Sequence, residues 1–72
     1  MSIVLPVQVE INGETREVEA GVTVADVVRM LDLNQRRLAV EVNREIVARD
    51  SYAERVLHEG DVLEIVHFVG GG

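Results

Sequence analysis

The 72-residue chain is predicted to fold as one small α+β domain, a mixed sheet of four to five strands with a single main helix packed on one face. Three observations predict it. Near the N-terminus, apolar residues alternate with polar ones up to an Asn-Gly pair, the pattern of a strand entering a hairpin. Further on, one stretch has apolar residues at helical spacing behind a capping pair. The last run, Val62 to Val69, is apolar on both faces, which places it centrally in the sheet.

In order along the chain, Val7, Val9 and Ile11 alternate with Gln8, Glu10 and Asn12 to give the first strand. Ile3 to Leu5 extend it at most, because Pro6 lacks a ladder donor and belongs at a strand start or an edge. Asn12-Gly13 predicts a type I′ turn, which needs positive φ at both positions. The return strand runs over about Glu14 to Glu19 and breaks at Ala20-Gly21. Thr23 and Asp26 have capping-box spacing, and Val24, Val27, Val28 and Leu31 fall on one face of the helix that follows. Valine is a poor helix former, so this helix depends on packing against the sheet. It ends around Asp32 to Asn34. Leu38 to Asn43 is the third strand, Asn43-Arg44 a turn, and Ile46-Val47 a short apolar piece. Asp50 or Ser51 is the expected cap of a helical turn through Tyr52 to Arg55. Gly60-Asp61 turns into the final strand. This order describes a β-grasp fold, with the final strand beside the first and delivering the C-terminus at the sheet's edge. The chain divides into a β-grasp domain, residues 1–69, and a flexible reactive tail, residues 70–72.

Composition narrows the function. Thirteen acidic residues against seven basic ones give a net charge of −6, which repels phosphate backbones and anionic membranes. Tyr52 and Phe68 are the whole aromatic complement, too few to stack single-stranded bases. Nucleic acid and membrane are therefore not expected partners; a protein with a basic docking surface is. With no cysteine there is neither a disulfide framework nor a side-chain thiol, and no signal peptide or span is visible. A cytoplasmic protein is expected. All seven cations are arginine; the absence of lysine removes the commonest internal nucleophile, and genome composition explains it as well. His58 and His67 lack companions at ligand spacing, so no metal site is expected. The carboxylates form no acid–base pair, no phosphate-cradling loop precedes the helix, and Ser2 and Ser51 lack a nucleophile's setting. The chain is not expected to be an enzyme.

What remains is the ending, Gly70-Gly71-Gly72. Three residues without Cβ atoms form a thread that enters passages closed to side chains. A terminal carboxylate, with a reference pKa of about 3.5, is ionised at neutral pH and can attack the α-phosphate of ATP in a partner's site. The resulting acyl-adenylate is open to sulfur, which leaves a thiocarboxylate, or to an amine, which leaves an amide. A passive, frayed tail is the alternative reading of the glycines.

These residues resemble the ThiS family, the sulfur carrier proteins of thiamine thiazole biosynthesis, over nearly the whole chain. The matching segments are Val9-Glu10-Ile11-Asn12-Gly13-Glu14, Gly21-Val22-Thr23-Val24, Val40-Glu41-Val42-Asn43, Glu45-Ile46-Val47 and Gly60-Asp61. The most specific is the ending, Glu64 through Val69 into the glycines. Met1 to Pro6 is longer than in a compact member.

The resemblance implies a cycle. An E1-like (ThiF-like) enzyme uses Mg-ATP to adenylate Gly72, and a cysteine desulfurase or sulfur relay supplies the thiocarboxylate sulfur. Thiazole synthase (ThiG-like) takes that sulfur for the thiazole of thiamine. Gly70 and Gly71 give reach, and Val66, His67, Phe68 and Val69 fall where partner contacts would lie, with Phe68 the preferred exposed contact. The chain itself holds no cofactor in this reading. Alternatives are a carrier for molybdopterin or another sulfur pathway, a ubiquitin-like conjugation modifier, and a β-grasp interaction module with a passive tail.

Overall fold

The computed structural model describes residues 5–33 and 37–68. Five strands form one sheet in the order β2-β1-β5-β3-β4: β1 is Val7–Ile11, β2 Glu14–Val18, β3 Leu38–Val42, β4 Glu45–Val47 and β5 Val62–His67. β1 pairs antiparallel with β2 and parallel with β5, and β3 pairs antiparallel with both β4 and β5. The helix α1, Val24–Met30, crosses one face of the sheet. This is a β-grasp arrangement, and the final strand lies centrally, as its two apolar faces predict. The strand therefore leaves from the end of the middle of the sheet, where the sequence had placed it at an edge.

Asn12 and Gly13 have φ of 50° and 86°, so the first turn has the two left-handed residues that a type I′ hairpin needs. Asn43 and Arg44 repeat the geometry at 53° and 70°. Arginine carries a Cβ penalty in this region, on the order of 1 kcal/mol.

At seven residues α1 is too short to persist on propensity. Thr23 accepts the Asp26 N–H while the Asp26 carboxylate accepts the Thr23 N–H, the predicted capping box. That bond, with help from the Thr23 hydroxyl and Arg29 against some desolvation, holds the Asp26 carboxyl below the usual range. Val24 and Ala25 donate to the carbonyls of Arg55 and Tyr52, so the helix start is also stitched to the segment before β5. Its C-terminus closes with Leu33 N–H on Val28 O and Asp32 N–H on Arg29 O, with Asp32 left-handed at φ 57°. The helix thus ends at Met30, two residues before the predicted range of Asp32 to Asn34, and Asn34 lies outside the described residues.

Val24, Val27 and Val28 press onto Val9, Ile11, Val40, Val42, Leu63 and Ile65 of the sheet, with Tyr52 and Leu57 closing the open end. Complete burial of each such side chain is worth about 1.5–3 kcal/mol, which outweighs valine's weak helix propensity. The predicted helical turn differs from its sequence reading: it is a 3-10 turn over Arg49–Ser51, N-capped by Ala48 with no side-chain bond. Asp50 and Ser51 lie inside it because the Ser51 N–H is already taken by the Ala48 carbonyl.

Candidate functional site

The candidate site is the outer face and the end of β5. Strand alternation sends Leu63 and Ile65 under α1 and leaves Val62, Glu64, Val66 and Phe68 on the uncovered face. Val66 is 56% and Phe68 57% exposed. Ala39 of β3 stands opposite Val66, so the apolar strip is two strands wide. Next along the ladder, Glu64 stands directly opposite Glu41, and Glu41 in turn opposite Ile46 of β4. Glu10 of β1 stands beside Val62. Two like charges directly opposite one another destabilise a sheet. The same face therefore holds an apolar strip at the end from which the chain leaves and an opposed carboxylate pair next to it.

His67 has the other parity: it pairs with Leu38 and is exposed at the end of the strand. The strand thus separates His67 from Val66 and Phe68. Val69, Gly70, Gly71 and Gly72 lie outside the described residues. His58 sits in the turn before β5, where its backbone N–H donates to the Asp61 carboxylate and its carbonyl accepts the Asp61 N–H. Among the described residues no group of three or more His, Cys, Asp or Glu side chains is placed to hold a metal ion, and no helix is long and apolar enough to cross a membrane.

Two turn asparagines hold β5 in place. Asn12 accepts the Ile65 N–H on Oδ1 at 2.7 Å and donates Nδ2 to the Ile65 carbonyl at 3.1 Å, so its amide mimics one further residue of strand β1. Asn43 accepts the Val62 N–H at 3.0 Å and donates to Asp61 at 3.0 Å. Asp61 is buried; its other oxygen accepts the His58 N–H at 2.8 Å and stands 3.8 Å from Arg55. Burial alone would raise the Asp61 carboxyl, but the bonds from His58 and Asn43 and the Arg55 charge prevail and hold it below the usual range. The start and middle of β5 are therefore fixed from both neighbours, which gives whatever follows Phe68 a defined point of departure.

The contributions of Asn12, Asn43, Glu41, Glu64 and Ile46 were not evident from the sequence. Both asparagines are visible as turn residues, but their second task depends on which strand lies alongside. The carboxylate pair depends on register between strands distant in the chain. A faint signal exists in the alternation itself, which puts Glu41 and Glu64 on the polar side of their strands.

A family model described as the ThiS family matches residues 9–72. A thiazole synthase of Paramagnetospirillum magneticum is 48% identical over 62 residues, 86% of this chain but 19% of that protein. The chain thus spans about a fifth of that relative's length. The sulfur carrier protein ThiS of Bacillus subtilis is 44% identical over 50 residues, covering 69% of this chain and 76% of that one. Among solved structures, the thiamine biosynthesis protein (ThiS) of Geobacter metallireducens superposes with a TM-score of 0.77 at 26% identity, over 92% of this chain and all of that one.

Proposed function

Because the chain belongs to the ThiS family, we propose that it is a sulfur carrier of thiamine biosynthesis and that the Gly72 carboxylate is its reacting group. The observation that carries this reading is the extent of the family match: it reaches residue 72 and so takes in β5 and all three glycines. In this reading residues 1–69 are the folded handle and residues 70–72 the reactive thread. The chain is a co-substrate and its partners are the catalysts.

The ionised carboxylate attacks the α-phosphate of Mg-ATP in an E1-like partner, and pyrophosphate leaves. A persulfide supplied through a cysteine desulfurase or relay then attacks the acyl carbon and expels AMP to leave an acyl disulfide, and a thiol cleaves its S–S bond, forming a disulfide with the relay sulfur and releasing the thiocarboxylate. Thiazole synthase is the recipient; a relative bearing that name contains a segment 48% identical to this chain, which supports the pairing. Such chemistry belongs to the cytoplasm, where ATP and the desulfurase are found. Val66, Phe68 and Ala39 provide the apolar centre of the docking face, and Glu41 and Glu64 its acidic flank, suited to a cationic surface on the partner.

Intact mass tests the reading directly. After incubation with Mg-ATP, a ThiF-like enzyme, a cysteine desulfurase and cysteine, the expected gain equals one carboxylate oxygen exchanged for sulfur. The gain should vanish without ATP and on deletion of Gly72. Amide linkage to lysines of other proteins in place of that gain would make the chain a conjugation modifier and overturn the carrier reading.

A further inference from the structure

We infer that Asn12 is a site of spontaneous deamidation, held in check by its grip on β5 and releasing that grip once it has reacted. This goes beyond the carrier reading and does not rest on it. The chain's asparagines are Asn12, Asn34 and Asn43, and only Asn12 is followed by glycine; Gln35 and Arg44 follow the others. A backbone nitrogen can close onto the amide carbon of the preceding side chain when its own residue carries no obstructing side chain, and glycine has none. Asn12 and Gly13 are both exposed, so water reaches the peptide between them. Asn43 is a control within the same molecule. It too is exposed, left-handed (φ 53° against 50°) and bonded through its side chain to β5, but Arg44 follows it.

The reaction needs water alone. The Gly13 nitrogen gives its proton to solvent base and bonds to Asn12 Cγ; the Cγ–Nδ2 bond breaks, and that nitrogen takes up a proton and leaves as ammonia. Water then opens the cyclic imide at one of its two carbonyls, leaving aspartate or, with the main chain rerouted through Cγ, isoaspartate. In the folded chain β5 opposes the closure. Asn12 Nδ2, the leaving atom, donates to the Ile65 carbonyl at 3.1 Å, Oδ1 accepts the Ile65 N–H at 2.7 Å, and the Asn12 N–H donates to the Leu63 carbonyl at 2.9 Å. β5 flanks β1 on one side and β2, to which Gly13 leads, flanks it on the other. The amide therefore has to leave β5 before its carbon meets the Gly13 nitrogen. Either product undoes the clamp. Aspartate has no donor for the Ile65 carbonyl and sets a carboxylate oxygen against it, and isoaspartate adds a methylene to the main chain of a two-residue turn.

The unaltered full-length chain, aged in mildly alkaline buffer made with heavy-oxygen water, reports the reaction directly, because every imide that opens takes up one heavy oxygen. Peptide mapping should find the label at residue 12, as aspartate and isoaspartate together, before any appears at Asn34 or Asn43. Label at either of those as early as at Asn12, or none at Asn12 even in denaturant, would overturn the assignment. Unfolding in denaturant should speed labelling at Asn12 about tenfold or more, since the grip on β5 is then gone; equal rates folded and unfolded would show that β5 does not restrain it. Asn12→Asp reports the release. In that variant amide exchange at Ile65 should speed about tenfold, the effect of one net hydrogen bond, while Val62, held by Asn43, stays within about twofold of the parent. If Asn12→Asp does not fold, the aged parent protein, separated by its added negative charge, gives the same reading. An unchanged Ile65 rate would overturn the release.

Discussion

On the inner face of β5, Leu63 and Ile65 are 0% and 8% exposed; on the outer face, one residue further along, Val66 is 56% exposed. The side chains are of one class, so hydrophobicity does not explain the difference. One helix covers one face of this sheet, and among the described residues nothing covers the other. The strip leaves apolar side chains in water on an uncovered face, beside two like-charged residues that stand opposite one another. The inner face serves the fold, and the outer face suits a partner. The proposed chemistry lies at the end of the strand that carries both.

The widest separation between the two is expected at the tail. A few residues added after Gly72 should abolish sulfur loading, by intact mass, while the melting midpoint stays within a degree or two; loading of the extended chain without trimming would remove the terminal carboxylate from the mechanism. Gly72→Ala should also keep the fold and lose most activation. Leu63→Ala attacks the inner face and should cost about 2–5 kcal/mol in denaturant unfolding, a large part of a small domain's stability. Phe68→Ala attacks the outer face: unfolding should change by about 0.5 kcal/mol or less, whereas KM for the activating enzyme should rise at least fivefold, as for a contact worth about 1 kcal/mol. Equal effects of these two substitutions on stability would erase the distinction between the faces.

Asp61 tests the anchor between them. Its folded pKa is lowered, so its contribution to stability is complete above the unfolded value of about 3.9 and is lost as pH falls through the folded value. Asp61→Asn should lower stability at neutral pH by about 1–3 kcal/mol and flatten the acid limb of the stability profile below about pH 4. The smallest expected change has the opposite sign: Arg44→Gly relieves a left-handed residue at φ 70° and should stabilise by about 0.5–1 kcal/mol without affecting loading.

Most of the fold was legible in the sequence because its signals are local. Val9 and Ile11 alternate, Asn12-Gly13 has one favoured turn, and Thr23 and Asp26 lie three residues apart, so each element needs only its own neighbours. The exception at Asp50 and Ser51 is instructive. Both are good caps by propensity, but the position was decided by the Ala48 carbonyl and by Tyr52 and Leu57, buried against the core. Asn12 was half legible: its turn conformation is local, and its grip on Ile65, 53 residues away, is not.

By itself, the sequence determined the strands, the helix with its cap, the centrality of the last strand and the glycine ending, all from periodicity and backbone preference over a few residues. It also yielded the family resemblance, which the match over residues 9–72 bears out. The tertiary structure alone decided which side of β5 is buried, that Glu41 meets Glu64, and that Asn12 reaches Ile65. Each of these is a property of register between segments far apart in the chain. The physical reason is that alternation assigns residues to two faces but does not say which face the helix will cover or which residue stands across the gap; pairing and packing settle both.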